Sequence, residues 1–352
     1  MPLSSLPFIT PELPGAGGEI KAEPDHFVVA EQPLYAPCGS GEHLFVQLTR
    51  RGQTTREVVE ALAKAVAVPA HAIGYAGLKD RQARVTQVFS LPGVAAATLL
   101  PAAAALGYEV AWAIPNNTKL RVGHLLGNHF IITVLHADGA AALPRAAAVI
   151  AALQTRGLPN YFGGQRFGVS GDNAAQGLAI LSGQRRRPGA KWLYRLLLSA
   201  YQSHLFNSYL ALRIERGLFA QMLAGDLAKK TDTGGMFLVE DVDAEQPRCQ
   251  RGEITFTGPL FGHKMRQPAA AAAALEAEVL ATAPVHEGQW RQHRVMGNRR
   301  PGRLFLAEIA LTPHPQGFQI SFFLPKGAYA TTLLREVLKS EPDLPDAAEE
   351  EA

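Results

Sequence analysis

Alternating hydrophobic and polar positions, the pattern of half-buried strands, lie towards the two ends of the chain. The segments with this pattern, or with short apolar runs of strand length, are residues 73–76, 85–91, 108–114, 130–134, 304–311 and 318–324. The last two are predicted to form a hairpin across Pro313–Gly317. Both ends of the chain are therefore expected to contribute β-strands.

A helical repeat dominates the middle of the chain. It predicts helices over residues 146–156, 172–181, 191–216 and 269–278. Trp192 is assigned to the apolar stripe of the longest of these helices. One further helix is predicted nearer the N-terminus, where Thr54 and Glu57 have capping-box spacing and Pro69 stops the apolar repeat.

Strand-rich ends around a helix-rich middle indicate that one domain is inserted into another. We expect an α+β fold in which residues 1–155 and 304–340 build a domain with a mixed or antiparallel sheet. Residues 156–303 would form the inserted α/β domain. Residues 341–352 contain six acidic and no basic side chains, and they are interpreted as an acidic tail.

Composition narrows the class of protein. With 352 residues, 47% of them hydrophobic, the chain is long enough for two cores. Cys38 and Cys249 are too few and too distant for a disulfide framework, and no CxxC or HxxxH spacing suggests zinc. Residues 1–14 lack a basic leader, and no apolar run reaches the roughly 18 residues of a membrane span. We therefore expect a soluble, cytoplasmic protein.

The string Gly77-Leu78-Lys79-Asp80-Arg81 places one carboxylate between two cations in a predicted loop between strands. Nearby positive charge favours the ionised carboxylate, so Asp80 is expected to act as a nucleophile or base and not as an acid. Taken in isolation, mixed charges in a loop are more typical of a solvated turn, so these residues alone do not establish a catalytic role.

Five separated strings resemble one enzyme family. They are KAEPDHFVVAE at 21–31, AGLKDRQARVT at 76–86, GNHF at 127–130, NYFGGQRFG at 160–168 and LPKGAYATTLLRE at 324–336. Together they resemble the TruD family of pseudouridine synthases, which isomerise a uridine in the D-arm of transfer RNA. The chain departs from the family at one place, where the usual Pro-Glu-Asp-Phe is replaced by Pro24-Asp25-His26-Phe27.

The resemblance implies an enzyme that converts the uridine at position 13 of tRNA to pseudouridine after turning it out of the RNA. It implies that Asp80 is the catalytic residue and that Phe27, Asn128 and Tyr329 hold the uridine. Lys21 is a further substrate-binding candidate, and Phe130 fits either a pocket wall or a core strand. Candidates for contacts with the RNA backbone are Arg81, Arg185, Arg186, Arg187, Arg299 and Arg300.

No cofactor and no metal are expected, because the reaction includes neither a redox step nor transfer of a group to another molecule. The sequence also has no dinucleotide fingerprint, P-loop or metal-ligand spacing. The expected partner is tRNA. No protein partner and no membrane are implied, and we expect a monomer.

Several alternatives stay open at this point. Asp80 can attack C1′ of the ribose to form an ester, or remove the proton from C2′ to form a glycal. The cation beside it can be Lys21, Lys79 or Arg81, and residues 160–168 fit either a packing turn or an RNA contact. Two other functions remain: RNA binding without chemistry, and nucleoside hydrolysis, which usually needs a second carboxylate.

Overall fold

The computed structural model describes residues 6–20, 22–137, 139–168 and 170–340, so Lys21 and the acidic tail lie outside the described residues. In chain order the strands are β1 (Phe27–Pro33), β2 (His43–Arg51), β3 (Gly74–Tyr75), β4 (Arg84–Pro92), β5 (Glu109–Asn116), β6 (Leu125–Leu135), β7 (Leu158–Pro159), β8 (Leu227–Lys230), β9 (Met236–Leu238), β10 (Ile254–Leu260), β11 (Asn298–Pro301), β12 (Arg303–Leu304), β13 (Ile309–His314) and β14 (Gly317–Pro325). The helices are α1 (Thr55–Ala65), α2 (Ala96–Ala105), α3 (Ala142–Arg156), α4 (Asn173–Leu181), α5 (Lys191–Glu215), α6 (Val242–Gln250), α7 (Ala270–Ala281), α8 (Glu287–Gln292) and α9 (Ala330–Leu338).

Strands from both ends of the described chain form one mixed sheet. Its order is β13-β14-β6-β1-β4-β2-β5, with β3 paired to β4. β1 runs parallel to β4, whereas the other neighbours in this sheet are antiparallel. The predicted α+β architecture with a mixed sheet is confirmed.

One face of this sheet carries two hydrophobic clusters. Helices α3 and α9 cover β14, β6 and β1, and Leu333 of α9 is fully buried there. Helices α1 and α2 cover β4 and β2, where Val58 of α1 is fully buried. Val85 belongs to the first cluster and Phe89 to the second. Because residues an even number apart in a strand share a face, both clusters lie on the same side of the sheet.

Between the two clusters, this face carries a row of polar side chains. Glu31 of β1 is the register partner of Asn128 on β6. On the other side, Ala30 pairs with Thr86, which places Gln87 of β4 next to Glu31. The centre of the sheet is therefore polar on the face where the helices pack.

A second, smaller sheet has the order β11-β10-β8-β9. The long helix α5 packs on β10 and on helices α4 and α7, with Phe206 and Phe256 fully buried between them. The chain enters and leaves this part through β7 and β12, which pair with each other. The predicted boundaries at residues 156 and 303 lie beside this ribbon, and the division into two domains stays a prediction.

The predicted start of α1 is confirmed in detail. Thr54 Oγ1 accepts a hydrogen bond from the Glu57 amide at 3.2 Å, and Glu57 Oε2 accepts one from the Thr54 amide at 2.7 Å. The helix ends at Ala65, before Pro69. The helices predicted over 172–181 and 191–216 correspond to α4 and α5.

Three local predictions are wrong. Residues 304–311 do not form one strand, since the segment divides between β12, which pairs with β7, and β13, which pairs with β14. The hairpin turn is shorter than Pro313–Gly317, because the pairing extends to His314 and Gly317. Trp192 is 47% exposed, because it lies on the opposite side of α5 from the buried Tyr194.

In the described ranges, no helix combines the length and the apolar character that crossing a bilayer requires.

Candidate active site

Asp80 lies partly buried in the loop between β3 and β4, and this loop is fastened to the polar row of the sheet. Lys79 Nζ donates a hydrogen bond to Glu31 Oε2 at 2.7 Å. Gln87 Nε2 donates to the carbonyl oxygen of Gly77 at 2.6 Å. The residue directly before Asp80 and the turn leading to it are thus attached to two strands of the sheet.

Thr55, the first residue of α1, connects the helix to the same loop. Its Oγ1 accepts a hydrogen bond from the Lys79 amide at 3.0 Å and donates one to Gln87 Oε1 at 3.1 Å. Thr55 is fully buried. The capping box that fixes the start of α1 therefore also fixes a contact one residue away from Asp80.

The two cations that flank Asp80 in the sequence have carboxylate partners of their own. Lys79 pairs with Glu31, with side chains only 7% and 1% exposed, whereas Arg81 pairs with Glu57 at the surface. Each of the two flanking cations therefore has a carboxylate partner other than Asp80, and the cation that would pair with Asp80 stays a prediction.

Arg81 is a candidate for RNA contact, and its side chain is 58% exposed. Exposed ion pairs contribute about 0–1 kcal/mol, so its pairing with Glu57 leaves the guanidinium available to a phosphate. That contact stays a prediction.

Gln165 reaches Asp80 from the NYFGGQRFG segment. Its Nε2 donates to Asp80 Oδ1 at 3.3 Å, from a short 3-10 turn spanning Gly164–Phe167. The two residues are far apart in the sequence, and sequence reasoning did not single out Gln165. The signal in the sequence was a polar residue close to two aromatic ones, Tyr161 and Phe162, and the structure shows that both of these are buried.

Glu31 was also missed as a member of the site. It follows Phe27 and Val29 at the inward positions of β1, and all three are buried. A carboxylate on the inward side of an alternating strand indicates a buried partner, because an unpaired charge there is costly. The partner itself, Lys79, depends on the sheet order, which the sequence does not reveal.

Asn128 lies opposite Glu31 in the polar row and is partly buried. Its Oδ1 atom is closed to solvent and has no hydrogen-bond partner in the described part of the chain. A buried acceptor without a partner costs about 1–3 kcal/mol. Asn128 is therefore equipped to accept a hydrogen bond from an N–H group of a ligand.

Phe27 and Phe130 belong to the hydrophobic cluster beside this row. Their rings meet edge to face, with centroids 6.1 Å apart, and Phe130 stacks on Phe322 at 5.1 Å. Phe27 is 3% and Phe130 is 8% exposed. The placement of Phe130 between two other rings is typical of a core residue, and a uridine contact stays a prediction for both side chains.

Tyr329 lies immediately before α9, partly buried, with its ring 6.0 Å from that of Phe162. A Cβ atom at Gly163 would lie 2.9 Å from Tyr329 Cδ1. This close approach requires glycine at that position. The segments 160–168 and 324–336, which are distant in the sequence, therefore pack directly against each other.

Arg300 holds these two segments together. Its guanidinium donates to Asn160 O at 3.1 Å, to Asn160 Oδ1 at 2.6 Å and to Gly327 O at 2.7 Å. It also lies 4.0 Å above the ring of Phe162. Burial lowers the pKa of Arg300 to about 10. Three N–H groups of Arg300, on Nε and Nη2, are thus used within the protein, which gives the residue a structural role, and a contact with RNA phosphate stays a prediction.

The structure also argues against the predicted contact of Arg299 with the RNA backbone. Arg299 is 7% exposed and forms a two-pronged ion pair with Glu276, at 2.9 and 2.6 Å. Its Nε donates to Thr257 Oγ1 at 3.1 Å. Four N–H groups of the guanidinium are therefore used inside the smaller sheet's part of the chain, and the buried side chain offers little surface to a phosphate.

The arginines of the other cluster are at the surface. Arg185, Arg186 and Arg187 are all exposed, and Arg187 lies 4.2 Å above the ring of Tyr194. They remain candidates for phosphate contact.

The sequence and structure are similar to known proteins over nearly their full length. The family model described as tRNA pseudouridine synthase D (TruD) matches residues 6–187 and 190–337. The chain is 45% identical to the tRNA pseudouridine synthase D of Anaeromyxobacter dehalogenans, over 99% of this chain and 100% of that protein. It is 46% identical to that of Thermus thermophilus, over 95% and 92% of the two chains.

A solved structure from Methanosarcina mazei, titled as a tRNA pseudouridine synthase D, has the same fold. The TM-score is 0.77 and 96% of each chain is covered, at 23% identity. The family match and the two bacterial relatives carry the assignment beyond the fold: the chain belongs to the TruD family of tRNA pseudouridine synthases.

Proposed function

We propose that this pseudouridine synthase isomerises the uridine at position 13, in the D-arm of tRNA, and that the carboxylate of Asp80 carries out the chemistry. The observation that carries the proposal is the anchored loop. Asp80 is held beside a polar row that contains a buried, unpartnered acceptor on Asn128. The loop that carries Asp80 and the free acceptor of Asn128 are thus attached to one region of the sheet, which supports the proposal.

The reaction needs one group that can interact with the ribose. The bond from uracil N1 to C1′ breaks, the detached base turns, and its C5 joins C1′, after which the C5 proton is lost. An Asp80 carboxylate can form an ester at C1′ that the turned base then displaces. Alternatively, it can take the C2′ proton and return it later. Both routes restore the carboxylate, and N1 of the base gains a proton from solvent as C5 gives one up, so the composition of the nucleoside is unchanged.

Asn128 is proposed to hold the base. The N3–H group of uracil is a donor, and the Oδ1 atom of Asn128 is an acceptor closed to solvent. Such a bond would satisfy the buried acceptor and discriminate against bases that lack this donor.

Tyr329 is proposed to support the base by stacking, since its ring stands at the end of the segment that Arg300 fixes. Phe27 would close the pocket from the sheet. A uridine stacked within tRNA cannot reach Asp80 unless it is flipped out, and a ring that receives the flipped base offsets part of the cost of unstacking.

The catalytic role is tested by Asp80→Asn, with Asp232→Asn in the exposed turn after β8 as the matched control. The readouts are tritium release from C5-labelled uridine in tRNA, and tRNA affinity. Asp80→Asn should lower the rate at least about 100-fold, because general base catalysis alone contributes roughly 10²–10⁴. Affinity should stay within a few-fold. A mutant with near-normal turnover would remove Asp80 from the mechanism.

The target position is tested separately. Pseudouridine is mapped at single-nucleotide resolution in RNA from cells with the protein, without it, and with the Asp80→Asn variant. The pseudouridine signal at one D-arm position should be absent from cells without the protein and from cells with the Asp80→Asn variant. A lost signal elsewhere would overturn the position but not the chemistry, and release of free uracil would point to a hydrolase.

A further inference from the structure

A cavity of about 550 Å³ lies next to the Asp80 loop, between the first turns of α1, strand β3 and residues 119–122. This volume is in the range of small-molecule sites in proteins. Its lining includes Arg56, Glu60, His71, Tyr75, Lys119 and Arg121. The residues assigned above to the uridine site are not among its lining, so it is a separate feature.

Both walls of the cavity are attached to the loop that carries Asp80. On one side, the Gly123 amide donates to the carbonyl oxygen of Ala76 at 2.7 Å. On the other side, Thr55 Oγ1 of α1 accepts from the Lys79 amide at 3.0 Å. Tyr75 in the floor is five residues before Asp80, which limits their Cα separation to about 18 Å. The cavity is therefore no farther from Asp80 than an RNA strand can span in a few nucleotides, on one side of a uridine bound there.

The charge of the lining is one-sided. Among the described residues that line the cavity, Arg56, Lys119 and Arg121 are basic, and Glu60 is the only acidic one. Lys119 Nζ donates to the carbonyl oxygen of His71 at 2.7 Å, which fixes one wall. Concentrated positive charge around a concave site attracts phosphate and raises the local concentration of an anionic ligand.

The cavity also offers apolar surface. Its lining includes the apolar Ile73 and Leu120, which are almost fully buried, and Val122, which is 74% exposed and supplies most of the open apolar surface among these three. An exposed apolar side chain beside basic ones suits a nucleotide, which presents both a phosphate and the face of a base.

We propose that this cavity binds a nucleotide of the RNA strand directly adjacent to the target uridine, with its phosphate held by Lys119 and Arg121. The inference rests on the proposed function, because the neighbouring nucleotide is defined by a uridine bound at Asp80. Its role is to hold the strand on one side of the flipped base.

The test uses the Lys119→Gln/Arg121→Gln double variant, with Arg251→Gln at an exposed site in the smaller sheet's part of the chain as the control. Binding of the substrate tRNA is measured by filter binding across a salt series, in the Asp80→Asn background, so that catalysis plays no part. Loss of two phosphate contacts should flatten the slope of log K against log salt by about 1.4–1.8. At 0.1 M salt, this corresponds to a fall in affinity of up to roughly 25- to 60-fold. The Arg251→Gln control should bind tRNA with the same affinity and the same salt slope as the Asp80→Asn parent.

A second variant, Val122→Glu, places a negative charge at the exposed edge and should also weaken binding. Because Val122 is 74% exposed, this change leaves the core intact. Affinity and slope equal to the parent in both variants would overturn the proposal. A fall in affinity without a change of slope would also overturn it, since phosphate would then not be the ligand.

Adjacency is tested with two D-arm fragments, one that begins at the target uridine and one that ends there. The double variant should lose its effect with one of the two fragments, which also identifies the side of the uridine. An effect of equal size with both fragments would place the contact elsewhere in the RNA. Failure here is distinguishable from failure of the Asp80 assignment, because that assignment is judged by turnover in the unmodified background.

Discussion

Replacing Glu31 by glutamine should disturb both the stability of the large sheet and the position of Asp80. The carboxylate of Glu31 is the partner of Lys79, and the two side chains are 1% and 7% exposed. An amide keeps the shape but not the charge, so the ammonium group of Lys79 would remain buried without a counterion. Removing one member of such a pair costs about 3–5 kcal/mol.

The thermal consequence follows from the size of the chain. If all 352 residues unfold together, this loss lowers Tm by about 4–7 °C. The catalytic consequence follows from geometry, because Lys79 is the residue before Asp80. A displacement of about 1 Å at a reacting group can reduce the rate about 100-fold. Glu31→Gln should therefore lower kcat more than it weakens tRNA binding.

The measurements are thermal unfolding and tritium release from labelled tRNA, with Glu109→Gln as control. Glu109 pairs with Arg51 on the same sheet, but its side chain is 61% exposed, so its loss should cost less than about 1 kcal/mol. The Glu31→Met/Lys79→Met double variant should regain stability, because an apolar pair needs no counterion. If Glu31→Gln matched Glu109→Gln in both Tm and kcat, the ion pair would not be what anchors the loop.

Four further predictions concern separate features. Tyr329→Ala should reduce kcat through the loss of base stacking worth roughly 1–3 kcal/mol, whereas Tyr329→Phe should be mild; equal impairment would mean that the hydroxyl matters and not the ring. Replacing Arg185, Arg186 and Arg187 together by glutamine should flatten the salt slope of tRNA binding by up to about 2–3, and an unchanged slope would make them plain surface. Activity on prefolded tRNA should survive exhaustive treatment with a chelator, because the isomerisation needs no redox step; recovery that depends on one transition metal would contradict this. Burial lowers the pKa of His204 to about 4 in the folded protein, whereas the unfolded value is about 6.5. Below pH 6.5 the unfolded chain therefore binds a proton that the folded protein does not, so the folded protein loses stability as the pH falls from 6.5 towards 4. Urea unfolding of His204→Gln should show about 1–3 kcal/mol less acid destabilisation than wild type between these pH values, and parallel curves would refute the assignment.

Periodic segments were predictable from the sequence because their signals are local. The capping box at Thr54 and the apolar repeat of α5 depend on residues within a few positions of one another. The order of strands is different, since β1 lies between β6 and β4 without being next to either in the sequence. The partner of Lys79 could not be predicted for this reason, because Glu31 reaches it only after the sheet has formed.

Clusters of charged residues in the sequence were the least reliable signal for contacts with RNA. Arg299 and Arg300 are adjacent in β11, so their side chains point to opposite faces. One is buried against Glu276, and the other holds Asn160 and Gly327. A run of arginines shows only that the residues are close in the sequence. Which of them are exposed depends on the face of the strand to which each side chain points.

The location of Asp80 explains why the site needs segments from the whole chain. Its loop is fastened to the large sheet by Lys79, while Gln165 approaches it from the segment that leads into the smaller sheet. Tyr329 stands on the returning segment, which Arg300 of β11 fixes to residues 160–168. The distance between the Asp80 carboxylate and the Tyr329 ring is therefore set by how the two sheets are joined. Under the proposed assignment of the chemistry to Asp80, a substitution at Arg300 would alter that distance while leaving the Asp80 and Tyr329 side chains in place, which would make Arg300 a positioning residue.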